Sequence, residues 1–182
     1  TLDNHPQKPE MGARTYTLGK RLYIEESDFS LDPPPKYHRL KPDGLVRLKG
    51  GYIVKYVDAD KRPDGTVARV YVEIVEGTMS GSDSPVKAKG VIHWVNADDC
   101  VRITANRYDY LLLPVTDGVT DFNERINPHS RTVYDAVAEP AVNGGNVFQF
   151  MRQGYFTRDC KQHDVFHETV GLKDTFNAKP IR

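Results

Sequence analysis

The sequence predicts a nearly all-β protein with little helix, and three observations support this. Segments rich in Val, Ile, Tyr and Trp recur along the chain, and several alternate apolar with polar residues, the period of a half-buried strand. Short polar turns separate these segments. Helical periodicity is scarce, and only 120–130 predicts one short helix, ended near Pro128. Closely spaced strands with short polar turns are typical of barrels and sandwiches.

The strand candidates in the first part of the chain are separated by recognisable turn chemistry. Pro63, Asp64 and Gly65 predict a tight hairpin turn. Gly50 and Gly51 interrupt a strand pattern and predict a bulge or a sharp bend. The polar stretch 77–86 is interpreted as a loop rather than a linker between independent domains. The strands are expected at 21–29, 45–60, 67–77, 89–95 and 100–113.

The second part of the chain continues in the same style. Strands are expected at 131–140, 146–159 and 164–175, with a turn at 141–146 before the middle one. The alternation around Gln149 predicts that Phe148 and Phe150 are buried and that the glutamine is exposed. That pattern is typical of ordinary core packing. Tyr155 and Phe156 are likewise interpreted as core residues rather than as platforms for stacking.

Composition limits the class of protein. A chain of 182 residues is long enough for one large domain or two small ones, and its formal net charge is zero. Zero net charge argues against binding nucleic acid over the whole surface, but not against a local basic patch. No apolar run approaches the roughly 20 residues of a membrane helix, so no membrane partner is expected. Residues 1–16 lack the features of a signal peptide and are interpreted as part of a longer chain or as an extended arm.

Two cysteines, Cys100 and Cys160, are too few for a disulfide framework, and a reducing, cytoplasmic setting is the simplest interpretation. Neither cysteine has the marks of a nucleophile, which needs a dedicated base and an oxyanion hole. Two groups of residues resemble parts of a zinc site, but a zinc ion needs three or four converging ligands. No metal site and no catalytic residue are therefore predicted from His93, Asp98, Asp99 and Cys100, or from Cys160, His163 and His167.

The basic stretch 36–55 stands out in a chain of zero net charge. It opens with a cation, an aromatic ring, an imidazole and a guanidinium, which together suit single-stranded RNA: bases are stacked, and their edges and phosphates are hydrogen-bonded. If this opening is a strand, Lys36 and His38 share one side, and Tyr37 and Arg39 the other. The alternative is a solvated strand edge guarded by basic residues. The cations are Lys36, Arg39, Lys41, Arg47, Lys49 and Lys55, against the single acid Asp43.

Nine short blocks occur in order between about residue 3 and about residue 176: DNHPQKPEMGAR, YIEESDF, KYHRL, VRLKGGYIVK, VKAKGVIHWV, RYDYLL, INPHS, FQFMRQGYF and TVGLKDT. This series resembles the C-terminal anticodon-binding region of glutaminyl-tRNA synthetase, a class I aminoacyl-tRNA synthetase. The resemblance implies two linked β-barrels of a type shared with a 5S-binding ribosomal protein. The distal barrel is expected at 37–112, and the proximal barrel at 1–36 together with 113–182.

The resemblance also implies that this chain binds tRNA and that the catalytic reaction takes place elsewhere in the parent enzyme. The family's ATP-binding signatures are absent from the sequence, so no cofactor is expected here, and ATP with Mg is assigned to the parent enzyme. The expected partners are the anticodon loop of tRNA(Gln) and the catalytic domain of the same polypeptide. The parent enzyme is expected to be a cytoplasmic monomer that ligates glutamine to tRNA(Gln).

Residue roles follow from the same resemblance. Arg39 matches an arginine at the third anticodon base, a guanine, and His38 stands where a lysine lies near that base. Lys36 stands where a glutamine lines the pocket of the middle uridine, and Tyr37 belongs to the same block. Arg47 matches an arginine at the first anticodon base.

Two further positions complete the predicted anticodon-binding set. Lys49 replaces a second arginine at the first anticodon base, and an ammonium cannot reproduce the two-pronged hydrogen bonding of a guanidinium. Gln149 matches a glutamine that bonds the middle uridine. The resemblance places an arginine of that same pocket upstream of Thr1, so the pocket is expected to be incomplete in this chain.

Three alternatives stay open. A glutamyl-tRNA synthetase of the archaeal and eukaryotic type shares the barrel arrangement, although NHPQKPEMG and Gln149 favour glutamine. A stand-alone RNA-binding protein of the 5S-binding barrel type is far shorter than this chain. A β-barrel scaffold that binds no nucleic acid would show no salt dependence of binding.

Overall fold

The computed structural model describes residues 1–115 and 121–172. The chain divides into two compact units, Thr1–Asp99 and Cys100–Arg182. Within the described residues every helix is a 3₁₀ turn of three to five residues, and the remaining regular structure is strand. The prediction of a mostly β protein with little helix is therefore confirmed. No helix among the described residues is long and apolar enough to cross a bilayer.

The first unit contains one four-stranded sheet and two short strand pairs. In the sheet the order is β6-β5-β4-β7, antiparallel except for the parallel pair β4–β7. One short pair joins β1 to β2, and the other joins β3 to β8. The bounds are β1 Leu2–Asp3, β2 Ala13–Arg14, β3 Leu22–Tyr23, β4 Leu45–Leu48, β5 Ile53–Lys61, β6 Val67–Ile74, β7 Val91–Ile92 and β8 Val95–Asn96.

The two predicted turns of this unit are confirmed. The turn between β5 and β6 closes with a hydrogen bond from Arg62 N–H to the Thr66 carbonyl, 2.7 Å, and Gly65 has φ +85°. The sharp bend predicted at the glycine pair is the turn between β4 and β5. Gly51 N–H donates to the Leu48 carbonyl at 2.9 Å, and Gly50 has φ +67°, a conformation that glycine adopts without strain.

The core of the first unit forms between its sheet and its N-terminal segment. The buried side chains are Leu40, Val46, Leu48, Val54, Ile92 and Trp94. Side chains of the segment before residue 30 pack against them, namely Tyr16, Leu18, Leu22, Ile24 and Phe29. The N-terminal segment is thus part of this unit's packing. The division into a distal and a proximal barrel at 36/37 and 112/113 stays a prediction.

The second unit is one five-stranded sheet with the order β10-β9-β13-β12-β11. All neighbours are antiparallel except β13 and β9. Its core holds Ile103, Ala105, Val142, Phe156 and Phe166, with Phe148 and Phe150 packed against them. The bounds are β9 Val101–Tyr108, β10 Arg131–Ala138, β11 Val147–Phe150, β12 Gly154–Arg158 and β13 Val165–Gly171.

Some predicted elements take a different form. The sheets are open, because the strands at their two edges do not pair with each other among the described residues. The strand expected at 21–29 is only Leu22–Tyr23, followed by a 3₁₀ turn at Glu26–Asp28. The short helix expected within 120–130 is a single 3₁₀ turn, Asn123–Arg125, and the turn at 141–146 lies largely in another, Pro140–Gly144. The end of the strand expected at 164–175 lies outside the described residues.

Candidate nucleic-acid interface

The segment from Lys36 to Arg39 is a turn and a loop, so the two-sided arrangement considered for a strand does not apply to it. Tyr37 N–H donates to the Pro34 carbonyl at 3.2 Å, and Lys36 has φ +66°, a left-handed conformation. The three consecutive prolines before Lys36 lack the N–H groups that a strand ladder needs. Lys36 and His38 are exposed, and Tyr37 and Arg39 are half-buried.

A 3₁₀ turn holds the side chains of Tyr37 and Arg39. The Tyr37 hydroxyl donates to the Ser27 carbonyl at 2.9 Å. Arg39 Nη1 donates to Asp28 Oδ1 and, at 3.4 Å, to Ser27 Oγ. The Asp28 side chain is 0% exposed, whereas that of Arg39 is 36% exposed. A buried carboxylate is stable only when it is paired and hydrogen-bonded, and Arg39 supplies that pairing.

Backbone hydrogen bonds hold the loop that carries Arg39 against the 3₁₀ turn that carries Asp28. Leu40 N–H donates to the Asp28 carbonyl at 3.0 Å, and Ser30 N–H donates to the Leu40 carbonyl at 3.2 Å. Phe29 and Leu40 form a parallel bridge, and Leu40 is buried in the core. The guanidinium of Arg39 is therefore fixed at its Nη1 side. Nε and Nη2 carry three more donors, to which no described residue is bonded, and they remain available for a ligand.

Gly90 brings this loop next to strand β4. The Gly90 carbonyl accepts from Arg47 N–H at 3.0 Å. A Cβ at Gly90 would lie 1.5 Å from the His38 carbonyl oxygen, so only glycine permits this approach. The backbones of His38 and Arg47 consequently both contact Gly90. The structure thus brings the loop that carries His38 next to the strand that carries Arg47.

The Arg47 side chain is partly engaged in the fold. Its Nη1 donates to the Gly51 carbonyl at 3.2 Å and to the Thr78 carbonyl at 2.8 Å. Thr78 is fully buried and fastens its loop to β5, because its hydroxyl accepts from Ile53 N–H at 2.9 Å. Arg47 therefore ties the loop at 77–86 to the β4–β5 turn. Its guanidinium has a fixed position before any ligand arrives.

Lys49 lies at the start of the β4–β5 turn, and its backbone is anchored from two sides. Its carbonyl accepts from the Tyr16 hydroxyl at 2.8 Å and from Trp94 Nε1 at 3.0 Å. The ammonium group makes no ion pair with any residue in 1–115 or 121–172. Lys49 thus combines a rigid backbone with a cation that is available for a phosphate or a base.

Gln149 lies in the second unit, on the outer face of its sheet. In β11 the side chains of Val147 and Gln149 are exposed while those of Phe148 and Phe150 turn inward, as predicted. The residue paired with Gln149 across β12 is Tyr155, whose side chain is 43% exposed. The prediction that Tyr155 belongs to the core is wrong, whereas Phe156, at 2% exposed, is a core residue. An exposed amide and an exposed aromatic ring therefore lie opposite each other.

A hydrogen-bonded chain on the same sheet was not predicted. The Tyr108 hydroxyl bonds to His167 Nδ1 at 2.6 Å, and His167 Nε2 bonds to Asp159 Oδ2 at 3.0 Å. Asp159 also accepts from Lys161 N–H and Gln162 N–H. The bond to His167, then those two backbone bonds, lower the pKa of Asp159 from 3.8 to about 2. The residues are far apart in the sequence, so only the parallel β9–β13 pairing reveals them.

Metal and cysteine chemistry find no support in the described part of the chain. No three His, Cys, Asp or Glu side chains converge there as metal ligands would. Neither cysteine forms a disulfide; Cys160 is exposed and Cys100 half-buried. His167, which was weighed as a ligand, is held by Tyr108 and Asp159 instead.

Comparison with protein families decides what the chain is. The family described as "tRNA synthetases class I (E and Q), anti-codon binding domain" matches residues 1–75 and, through a second model of the same description, residues 91–159. The chain belongs to this family. The anticodon-binding region of the glutamyl and glutaminyl synthetases thus accounts for most of the sequence.

The curated relatives of this anticodon-binding domain are longer proteins. A glutamine–tRNA ligase of Cupriavidus taiwanensis is 40% identical over 183 residues, which cover 94% of this chain and 31% of the relative. Glutamine–tRNA ligases of Vibrio vulnificus and Escherichia coli O157:H7 are 37% and 35% identical over 185 residues, covering 97% of this chain and 33% of each relative. The chain spans about a third of the length of these relatives.

In this anticodon-binding domain the predicted residues fall into two chemical groups. Lys36 and Lys49 carry cations without ion-pair partners among the described residues, which suits them to steer phosphates. Arg39 and Arg47 are held by side-chain or carbonyl acceptors, which suits them to present a fixed edge. Base recognition needs a fixed hydrogen-bonding edge, whereas attraction of RNA needs a cation that is not neutralised by an acid.

Proposed function

We propose that this chain is the anticodon-reading part of a glutamine–tRNA ligase and that it binds the anticodon loop of tRNA(Gln). The observation that carries the proposal is the family match at 1–75 and 91–159, which leaves little of the sequence unexplained. The glutamine–tRNA ligases at 35–40% identity favour glutamine as the amino acid of the parent enzyme.

The proposal includes the rest of the parent enzyme. That enzyme would join glutamine to tRNA(Gln) with ATP and Mg, through a catalytic domain on the same polypeptide. We place it in the cytoplasm as a monomer. We further propose that the open sheets of the two units belong to two linked β-barrels, distal at 37–112 and proximal at 1–36 with 113–182. The chain itself would contribute specificity and no catalytic group.

The proposed mechanism is recognition of unstacked bases by groups already in place. Arg39 would present two donors to the O6 and N7 atoms of a guanine at the third anticodon position. Its guanidinium is fixed by Asp28, so little conformational freedom is lost on binding. His38 and Tyr37 lie in the same loop, where an imidazole and a phenol ring can hydrogen-bond or stack.

The neighbouring residues would read the other positions. Arg47 and Lys49 would contact the first base, and Gln149 the middle uridine. A glutamine amide offers both a donor and an acceptor, which matches the N3–H and O4 groups of uracil. A wrong base would leave polar groups unpaired, at about 1–3 kcal/mol for each group.

The test is direct binding to short RNA hairpins that contain the anticodon arm. The dissociation constant would be measured by fluorescence anisotropy for a hairpin with the glutamine anticodon and for one with cytosine at its third position. We expect the guanine hairpin to bind about 5- to 150-fold tighter, since one bidentate arginine–guanine contact discriminates by about 1–3 kcal/mol. We also expect affinity to fall with salt, with a log–log slope near −0.7 per phosphate contacted.

Three outcomes would contradict the proposal. Equal affinity for both hairpins would remove the anticodon-reading role. Binding that does not change with salt would favour a scaffold that binds no nucleic acid. Tighter binding of the cytosine hairpin would favour the glutamate member of the same family, whose description covers both amino acids.

A further inference from the structure

We propose that Asp28 is a positioning residue for base recognition: by neutralising Arg39 and holding it at one side, it makes that arginine a reader of the base edge rather than a phosphate ligand. The inference rests on the proposed function and concerns a residue to which the resemblance assigns no role. Arg39 is the one predicted contact residue bonded to a fully buried acid among the described residues.

The first step is the position of the charge. Asp28 is 0% exposed and sits in the 3₁₀ turn Glu26–Asp28, whose backbone is bonded on one side to Glu25 and on the other to Leu40. A carboxylate at such a site cannot move toward water without breaking this backbone frame. Its partner Arg39 is 36% exposed and reaches from the surface to the acid. The acid is therefore the fixed member of the pair, and the arginine takes its orientation from it.

The second step is the division of the guanidinium. Nη1 donates to Asp28 and to Ser27 Oγ, so the contacts to protein lie at one end of the planar fork. Nε and Nη2 lie along another edge and present parallel N–H donors, the arrangement that matches the O6 and N7 acceptors of guanine. Asp28 thus selects which edge of Arg39 faces outward.

The third step is electrostatic. A carboxylate in contact cancels the charge of Arg39 as seen from a distance, which weakens its attraction for any phosphate. Hydrogen-bond geometry is unaffected by this cancellation. The pair therefore favours contacts that depend on direction over those that depend on charge. Lys36 and Lys49, which have no such partner among the described residues, retain full attraction for the backbone.

The test compares Asp28→Asn with wild type on the guanine and cytosine hairpins. The substitution keeps the size of the side chain, removes its charge and turns an amide toward Arg39. We expect the ratio of the two dissociation constants to shrink about fivefold or more, while the cytosine hairpin binds as tightly as before or tighter. We also expect a steeper salt dependence, by up to about 0.7 in slope, because Arg39 becomes free to contact a phosphate.

Asp98→Asn is the matched control. Asp98 pairs with Arg21 in the same unit, and both of those side chains are exposed, at 47% and 76%. This variant removes one negative charge and releases one guanidinium without touching the predicted contact residues. We expect its base discrimination to equal that of wild type. A loss as large as that of Asp28→Asn would show that net charge, not position, controls the ratio and would overturn the inference.

Other outcomes separate the inference from the function on which it rests. If wild type shows no preference between hairpins, the proposed function fails. If wild type discriminates and Asp28→Asn discriminates equally well, only the inference fails. Asp28→Asn in an Arg39→Ala background should leave the remaining preference unchanged, because Asp28 acts through Arg39; a further loss there would contradict the proposal.

A measurement on wild type covers the case in which Asp28→Asn does not fold. In the NMR spectrum of the unbound chain we expect slowly exchanging Nη protons from Arg39, assigned by their disappearance in Arg39→Lys. Such protons indicate a guanidinium held by an acceptor. Nη protons of Arg39 that exchange as fast as those of free arginine under the same conditions would overturn the inference.

Discussion

Replacing Gln149 offers the sharpest test of the second unit, because its effect on RNA can be separated from its effect on folding. The side chain is exposed on the outer face of β11 and has no hydrogen bond to a described residue. Surface changes of this kind alter the free energy of unfolding by about 0.5 kcal/mol or less. Gln149→Leu removes the amide and keeps much of the volume, so a loss of RNA affinity would report the lost hydrogen bonds.

The expected magnitude follows from what the substitution leaves behind. An uracil edge buried against leucine keeps one donor and one acceptor unpaired, at about 1–3 kcal/mol for each unsatisfied group. Two such groups together cost at least about 2 kcal/mol, so we expect about 30-fold weaker binding or more for a hairpin with uridine at the middle anticodon position. A hairpin with cytidine there already lacks the match and should lose much less.

The assay is a double-mutant cycle in protein and RNA. Dissociation constants of wild type and Gln149→Leu are measured by fluorescence anisotropy on the uridine and cytidine hairpins, at one salt concentration. Val147→Ala is the control, because Val147 lies on the same face of the same strand and is 70% exposed. Equal losses on both hairpins, or an equal loss in Val147→Ala, would refute the assignment of Gln149 to the middle base.

Three further predictions concern other parts of the chain. Arg47→Ala should lower the free energy of unfolding in urea by about 1–2 kcal/mol, because the Gly51 and Thr78 carbonyls lose their donor; no change would mean that water replaces it. Stability should fall as the pH drops from about 4 through 2, because the pKa of Asp159 is lowered from 3.8 to about 2 and the bond to His167 is lost on protonation; Asp159→Asn should lack this component in urea titrations at each pH. Cys100→Ser and Cys160→Ser, alone or together, should bind RNA within about twofold of wild type; stoichiometric zinc lost in either variant would contradict this.

Local patterns in the sequence were sufficient for much of the fold. The alternation at Val147–Phe150 reports which side chains face the core, since neighbouring residues of a strand point to opposite sides. The turn at Pro63, Asp64 and Gly65 is specified by residues that adopt its dihedral angles at little cost. These features depend only on neighbours in the chain.

Features that depend on distant residues escaped the sequence analysis. Tyr155 and Phe156 are consecutive in β12 and point to opposite faces, so only one of them can be a core residue; the pairing of Phe156 with Phe148, and of Tyr155 with Gln149, fixes which one it is. The pairing of Asp28 with Arg39 depends on the bridge between Phe29 and Leu40. The Tyr108–His167–Asp159 chain depends on the parallel pairing of β13 with β9. No periodicity encodes such contacts.

The six cations of the basic stretch look equivalent in the sequence but have different surroundings in the structure. Lys55 faces Glu73 at 3.8 Å across β5 and β6, and Arg39 is bonded to Asp28, so both charges are largely cancelled at a distance. Arg47 keeps its charge but is oriented by carbonyl groups. Long-range attraction of RNA would then come from few cations, which is consistent with a chain of zero net charge. Such a binding site has only weak affinity for RNA of any sequence, and most of its binding free energy depends on contacts with the correct bases. Discrimination among similar anticodons requires this division of the binding free energy.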